Sequence, residues 1–203
     1  MQNAIVSEKL GWTGVMTSLP QNTALVLIDL QKAIDHPSWG ERNNHGAEEN
    51  IGRLLGHWRR TSRPVVHIRH VSRFTDSTYR DGQPGVEFKD VAAPAEGEPV
   101  LTKQGASAFI GTALETLLHD HGIRDVVIAG VITNNSVEAT ARMAGDLGFR
   151  TTVVSDATFT FGRNDFQGRF RTADEVHAMS LANLDGEYAS IRTTGEVIRS
   201  AGG

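Results

Sequence analysis

The strongest constraint on the fold comes from the stretch 125–156, which holds a strand, a turn, a helix and a second strand in close succession. Its apolar run 126–129 is typical of a strand buried on both faces, and the run ends at Gly130. After a polar turn, apolar residues recur three and four positions apart until Gly148, which indicates a helix that ends at a glycine. The β-rich run 151–154 follows at once. The stretch therefore predicts one βαβ unit of a parallel sheet.

The rest of the chain repeats this alternation of strands and helices. We predict further strands over 23–28, 64–69, 100–102 and 189–192, and helices over 47–60, 112–121, 172–184 and 194–199. Three loops are predicted over 32–44, 70–99 and 159–170. Residues 1–21 are predicted to form an N-terminal arm. The pattern favours an α/β fold with three layers (α/β/α) around a doubly wound, mostly parallel sheet. No linker divides the sequence, so we predict a single domain over 1–203.

The composition argues against several classes of function. The 203 residues carry 24 acidic and 20 basic side chains, and the net charge of −4 gives no basic surface typical of nucleic-acid or membrane binding. No apolar run approaches the roughly 20 residues that a membrane span requires, and the first residues lack the pattern of a signal peptide. We therefore predict a cytoplasmic protein. Because the sequence contains no cysteine, disulfides, thiolate metal sites and thiol catalysis are excluded.

Three polar residues stand where predicted strands end: Asp29, Lys103 and, after the polar turn, Ser136. The carboxyl ends of parallel strands share one edge of the sheet, where ligands bind, so we expect the three side chains to converge. A carboxylate at the end of an apolar strand is costly to bury without a role or a partner. Two plainer interpretations stay open at this point. In the first, Asp29 and Lys103 form only a structural ion pair. In the second, Ser136, or one of the two asparagines before it, only caps the helix that follows.

Four segments carry a resemblance to a known family. They are the central string 130–142 (GVITNNSVEATAR), the strand end 28–31 (IDLQ), the segment 64–70 (PVVHIRH), and Lys103 with the nearby 107–109 (SAF). Together they resemble the isochorismatase-like cysteine hydrolases, a superfamily that includes nicotinamidases, N-carbamoylsarcosine amidohydrolases and isochorismatases. The resemblance covers most of the chain, and the central string looks most similar to the N-carbamoylsarcosine amidohydrolase branch. It implies the same three-layer fold.

The resemblance also implies roles for individual residues. In that superfamily an Asp, a Lys and a Cys form the catalytic set, and this chain matches it with Asp29, Lys103 and, in place of the Cys, Ser136. Asp29 is then the general base, and Lys103 stabilises developing charge and sets the pKa of that carboxylate. The backbone N–H groups of Ile132 and Ser136 are expected to form the oxyanion hole. Members of the superfamily often have a cis peptide bond before the residue that matches Ile132.

Serine at the nucleophile position departs from the family pattern. A hydroxyl is much harder to ionise than a thiol, and no Ser–His–Asp set can be assigned in this sequence. We favour a hydrolase that acts on a C–N bond of a small amide or ureido compound, active through Ser136 or silenced by it. One alternative is isochorismatase-type hydrolysis of a vinyl ether, with Asp29 as an acid and without a nucleophile. Another is a binding protein without catalysis.

Further residues are candidates for the pocket around this set. Four of them are predicted to bind a small-molecule substrate: Trp39, His70, Thr133 and Phe161. His67, on an apolar strand, is expected to be an ordinary core histidine. The sequence has no Asp-x-His motif of the kind that holds the metal of nicotinamidases, so we predict no metal and no other cofactor. The resemblance implies a homo-oligomer, a dimer or larger, and the long loop 70–99 is expected to help determine the substrate.

Overall fold

A computed structural model of the chain describes residues 18–202. Eight strands and five α-helices follow one another along this part of the chain. The strands are β1 (Ala24–Ile28), β2 (Val65–His70), β3 (Val100–Lys103), β4 (Asp125–Val131), β5 (Arg150–Phe159), β6 (Arg163–Asn164), β7 (Phe170–Arg171) and β8 (Ser190–Arg192). The helices are α1 (Ala47–Arg60), α2 (Leu114–Asp120), α3 (Glu138–Asp146), α4 (Ala173–Leu184) and α5 (Thr194–Ser200).

Six of the strands form one parallel sheet in the order β3-β2-β1-β4-β5-β8, while β6 and β7 pair separately as a short antiparallel ribbon. Each face of the sheet has its own hydrophobic core, because successive residues of a strand point to opposite faces. In β1, Leu25 and Leu27 belong to the core under α1 and α5, and Val26 and Ile28 belong to the core under α2, α3 and α4. The predicted three-layer, doubly wound fold is confirmed.

The local sequence explains where the helices lie. In α1 the apolar residues recur on one face and are buried against the sheet: Ile51, Leu54, Leu55 and Trp58. The predicted and observed bounds of this helix coincide at Ala47–Arg60. Two later helices begin with reciprocal caps between a threonine and the glutamate three residues later, Thr172 with Glu175 for α4 and Thr193 with Glu196 for α5.

Strand β4 differs from the prediction because it continues through Gly130 to Val131. Gly130 has a φ of +121°, and β4 shifts its register against β5 at this point. A Cβ atom at position 130 would lie 2.2 Å from the carbonyl oxygen of Ile28 in β1. The glycine therefore permits a close approach of the two central strands, where the pattern of apolar residues predicts the end of one.

Other boundaries also move. Strand β5 extends to Phe159, although polar residues at 155 and 156 interrupt its apolar run, because Thr158 and Phe159 still pair with β4. The predicted loop 159–170 contains the ribbon of β6 and β7. The predicted loop 32–44 contains two short 3-10 helices, Lys32–Asp35 and Pro37–Trp39. Between β4 and α3, Thr133–Val137 forms one turn of π-helix.

The predicted N-terminal arm lies almost entirely outside the described residues, which begin at Ser18. From there to residue 202, no helix is long and apolar enough to cross a membrane. The extent of the domain and the cytoplasmic location stay predictions.

Candidate active site

Asp29, Lys103 and Ser136 meet at the carboxyl edge of the sheet, where their positions after strands lead us to expect them. Asp29 directly follows β1, Lys103 is the last residue of β3, and Ser136 lies in the π-helical turn after β4. Strands β1 and β4 are neighbours at the centre of the sheet, where the chain order of the strands reverses. Such a reversal opens a crevice that is the usual ligand site of a doubly wound sheet.

Lys103 connects the other two side chains. Its ammonium nitrogen lies 2.7 Å from Oδ2 of Asp29, 3.1 Å from the carbonyl oxygen of Gly105 and 3.2 Å from Oγ of Ser136. An ammonium group has three N–H donors, so each of them finds an acceptor. The side chain of Lys103 is fully buried, and a buried charge requires such a complete set of partners. The lysine therefore fixes Asp29 and Ser136 relative to each other.

Asp29 has one satisfied and one unsatisfied carboxylate oxygen. Oδ2 accepts the hydrogen bond from Lys103, whereas Oδ1 is buried and has no hydrogen-bond partner among residues 18–202. Burial raises the pKa of the Asp29 carboxyl above its ordinary value, and the charge of Lys103 together with polar contacts from Lys103 and Ser136 opposes that rise. A buried carboxyl with an open oxygen and a raised pKa is suited to accept and return a proton.

Ser136 does not cap a helix. It lies inside the π-helical turn Thr133–Val137, and neither that turn nor α3 has a side-chain cap. Its hydroxyl oxygen accepts a hydrogen bond from Lys103 instead. The residue is only 6% exposed, yet it forms part of the wall of a cavity. The capping interpretation is therefore wrong, and Ser136 borders a space that a ligand can enter.

Ile132, the residue directly before this turn, also belongs to the wall of the cavity. The peptide bond between Val131 and Ile132 is cis, and Ile132 lines the cavity together with Ser136. The two residues whose backbone N–H groups are expected to form the oxyanion hole thus line the same cavity. The oxyanion hole itself stays a prediction.

Two residues of helix α4 contact the π-helical turn and hold it in place. Oγ1 of Thr133 lies 2.8 Å from Nδ1 of His177, and Oγ of Ser180 donates to the carbonyl oxygen of Thr133 at 3.2 Å. The same hydroxyl is 2.7 Å from a carboxylate oxygen of Glu138 in α3. Thr133 is fully buried in these contacts and does not line the cavity, and its role in substrate binding stays a prediction. Sequence reasoning missed His177 and Ser180, because no motif marks them.

The cavity has a volume of about 480 Å³, which suits a small molecule. Trp39 and His70 line it, together with Tyr79 from the loop after β2. Tyr79 is a residue that sequence reasoning missed, and its hydroxyl donates to the backbone carbonyl of Asp29 at 3.3 Å. Phe161 does not line the cavity. It is 7% exposed and stacks against Trp39 with ring centroids 5.5 Å apart, so it supports the wall from outside.

The two histidines of β2 have different environments. His67 is fully buried, with Nε2 2.7 Å from a carboxylate oxygen of Glu98, and is a core histidine as expected. His70 reaches the cavity, and its ring lies 5.4 Å from that of Tyr79. Burial, assisted by the charge of Lys103, lowers the pKa of His70 to about 4. The imidazole of His70 is therefore neutral at pH 7.

No group of three or more His, Cys, Asp or Glu side chains in the described range is arranged to hold a metal ion. Asp35 and His36 are adjacent in the sequence, but the backbone N–H and the hydroxyl of Ser38 contact the His36 ring, and Lys89 pairs with Asp35. The absence of a metal or other cofactor in the working protein stays a prediction.

Comparison with known proteins decides the family. The model of the isochorismatase domain matches residues 23–196. The chain belongs to the isochorismatase family. The family protein YrdC of Bacillus subtilis is 41% identical over 180 residues, which are 89% of this chain and 96% of that protein. The crystal structure of an isochorismatase-family protein from Chromobacterium violaceum is 52% identical, has a TM-score of 0.88, and covers 90% of this chain and 95% of its own.

Two relatives carry the names of specific enzymes. Nicotinamidase 3 of Arabidopsis thaliana is 30% identical over 179 residues, which are 88% of this chain and 78% of that protein. Maleamate amidohydrolase of Pseudomonas putida is 37% identical over 113 residues, which are 56% of this chain and 48% of that protein. The family expected from the sequence is thus confirmed. The relatives do not single out the N-carbamoylsarcosine amidohydrolase branch.

Proposed function

We propose that this protein hydrolyses a carbon–nitrogen bond in a small amide or ureido compound. The observation that carries the proposal is the buried contact of Lys103 with both Asp29 and Ser136 beside a cavity of small-molecule size. A proton acceptor, a hydroxyl and a fixed positive charge in one pocket are the groups that acyl transfer requires. Membership of the isochorismatase family, with relatives named for amide hydrolysis, supports the same reaction.

Each of these groups takes part in a step of the proposed hydrolysis. Oγ of Ser136 attacks the carbonyl carbon while its proton moves to Asp29, and the carbonyl oxygen becomes an oxyanion that the N–H groups of Ile132 and Ser136 stabilise. Asp29 then returns the proton to the leaving nitrogen as the C–N bond breaks, which leaves an acyl ester on Ser136. Water hydrolyses that ester by the same route. Lys103 stabilises Asp29 whenever the carboxyl is ionised.

Serine limits the rate of this reaction. A hydroxyl is far less acidic than a thiol, and a carboxylate without a histidine is a weak base for it. The structure leaves room for the larger sulfur atom, because Ser136 borders a cavity. We therefore expect the variant Ser136→Cys to turn over the substrate at least about tenfold faster than the natural chain.

Ammonia release from a panel of small amides and ureido acids tests the proposal. The panel should be run with the natural chain and with the variants Ser136→Cys and Ser136→Ala. We expect turnover with cysteine, slower or no turnover with serine, and none with alanine. Amide turnover by the alanine variant at the rate of the natural chain, or an inert cysteine variant on the whole panel, would rule the proposed reaction out.

The raised pKa of Asp29 favours a second candidate reaction. A carboxyl with a raised pKa holds its proton to a higher pH, as an acid catalyst requires. Asp29 would then protonate the double bond of a vinyl ether, and water would complete the cleavage without any help from Ser136. This candidate predicts cleavage of isochorismate at equal rates by the natural chain and by Ser136→Ala, and no cleavage by Asp29→Asn.

A third outcome is a binding protein without catalysis. It predicts that small amides bind in the cavity while neither the natural chain nor Ser136→Cys releases ammonia from them. The homo-oligomer implied by the resemblance stays a proposal, as does the restriction of the protein's partners to small molecules.

A further inference from the structure

The cavity beside Ser136 contains one charged side chain that the proposed reaction does not use. Arg73, on the loop after β2, is exposed and forms part of the cavity wall. Its guanidinium makes no hydrogen bond or ion pair with any residue in the described part of the chain. Arg80, on the same loop, provides a contrast, because it does not line the cavity and donates to the backbone carbonyl of Thr75 at 3.3 Å.

The charges around the cavity do not cancel. Of the described residues that line it, only Asp29 and Arg73 carry a formal charge at pH 7. Asp29 is already neutralised by its ion pair with Lys103 directly behind the wall. His70 is neutral at this pH, because its pKa is lowered to about 4. One positive charge is therefore left over, and it lies on Arg73. A cavity with an unbalanced positive charge attracts and retains an anion.

Two polar groups without partners lie at different depths of this cavity. Oδ1 of Asp29 is buried and has no donor within residues 18–202, whereas Arg73 is exposed at the cavity wall. The guanidinium is a planar fork of donors that matches the two oxygens of a carboxylate. Oδ1 of Asp29 is an acceptor that matches an amide N–H. A ligand with an amide at one end and a carboxylate at the other satisfies both groups.

We infer that Arg73 binds a carboxylate of the substrate, and that the substrates are short amides or ureido compounds that carry such a group. The inference rests on the proposed function for the reaction, but the recognition of the carboxylate can be measured without it. Arg73 is a binding residue, since it is exposed, whereas Asp29, Lys103 and Ser136 are buried. It therefore determines which amides enter the site, and the three buried residues perform the reaction.

Kinetics with two matched amides test the inference. Succinamate carries a carboxylate where butyramide has a methyl group, and both present the same primary amide. Assays use the natural chain, or the Ser136→Cys form if the natural chain is too slow. We expect Arg73→Gln to raise the KM for succinamate at least about tenfold, with little change in kcat, and to raise the KM for butyramide far less. Arg73→Lys should retain part of the preference, and Arg80→Gln should behave as the parent. An unchanged KM for succinamate in Arg73→Gln, or an equal loss on both amides, overturns the inference.

A binding measurement separates this inference from the proposed reaction. Calorimetric titration with succinate, a carboxylate ligand without an amide, compares the natural chain with Arg73→Gln and Arg80→Gln. We expect binding to the natural chain and to Arg80→Gln, and at least about tenfold weaker binding to Arg73→Gln. If no amide is hydrolysed but succinate binding depends on Arg73, the reaction is refuted and the carboxylate site stands. If amides are hydrolysed but succinate does not bind, or binds Arg73→Gln equally well, the carboxylate site is refuted.

Discussion

Two buried aspartates stand at opposite edges of the central sheet. Asp125 begins β4 at the amino edge, and Asp29 follows β1 at the carboxyl edge. Their side chains are 2% and 6% exposed, respectively. Both oxygens of Asp125 accept hydrogen bonds from Arg150, Oδ1 from Nε at 2.7 Å and Oδ2 from Nη2. Within residues 18–202, Oδ2 of Asp29 accepts a hydrogen bond from Lys103, whereas its Oδ1 has no hydrogen-bond partner.

The difference separates a structural carboxylate from a reactive one. Removing a carboxylate from water is costly, and the cost is offset only when its oxygens find donors. Arg150 supplies Asp125 with two donors in the planar geometry that suits a carboxylate, so this pair joins the starts of β4 and β5. Asp29 retains an unused acceptor beside a cavity, so it can still take a proton. Burial alone would not have distinguished the two residues.

The largest effect is expected when the reactive aspartate is neutralised. Asp29→Asn keeps the size of the side chain but removes the proton acceptor, so kcat/KM should fall by about 10²- to 10⁴-fold. The measurement is ammonia release in the most active form of the chain. Asp125→Asn is the matched control and should retain the parent's kcat/KM.

Circular dichroism of both variants checks that they fold, since Asp29→Asn leaves Lys103 with one charged partner fewer. A folded Asp29→Asn variant with undiminished turnover would show that Asp29 is not the base. Loss of turnover in Asp125→Asn to the same extent would remove the distinction between the two edges.

The second effect is expected on stability. Arg150→Ala leaves the buried carboxylate of Asp125 without its two donors, and the free energy of unfolding should fall by about 1–3 kcal/mol. Urea denaturation measures this change, and kcat/KM should stay that of the parent. The double variant with Asp125→Asn should regain part of the loss, because the uncompensated charge is gone. Equal unfolding midpoints for Arg150→Ala and the parent would mean that water satisfies Asp125 and that the pair does not stabilise the sheet.

The smallest effect concerns pH. The pKa of His70 is lowered from 6.5 to about 4 in the folded chain, so the unfolded chain binds more protons between these values. The stability that the neutral His70 provides is therefore full above about pH 6.5 and is lost as the pH falls towards 4. Urea midpoints at pH 7.5 and pH 5 should differ less in His70→Asn than in the parent. An identical difference in both chains would contradict a partly buried, neutral His70 with a lowered pKa.

The regular part of the fold follows well from the sequence because its signals are local. The periodicity of α1 gives both ends of that helix, and the run 126–129 locates the central strand. Asp29, Lys103 and Ser136 could be grouped in advance because parallel strands end at one edge. The strand end at 131 could not be located, since it depends on how closely Gly130 approaches Ile28 in another strand.

The walls of the site were predictable only in part, because they depend on contacts between distant segments. Tyr79 lies in a loop without a motif, and only the folded chain shows its hydroxyl at the backbone of Asp29. Thr133 is close to Ser136 in the sequence, and Phe161 is of a residue type that is common in pocket walls. The side chain of Thr133 is nevertheless buried against His177, and that of Phe161 is buried against Trp39. Proximity in the sequence predicts where the backbone lies at this site. The direction of a side chain, in contrast, follows from tertiary packing.

The glycine at position 130 has a consequence for how mutational data on this family member should be interpreted. Any side chain there would collide with the backbone of Ile28 and force apart β1 and β4, the two strands that precede Asp29 and Ser136. A displacement of about 1 Å between reacting groups is enough to lower a rate by about a hundredfold. In a saturation mutagenesis screen for activity, Gly130 would therefore show the same intolerance as the residues that touch the substrate. A screen analysed without coordinates would assign it a chemical role, although it contributes only the absence of a methyl group.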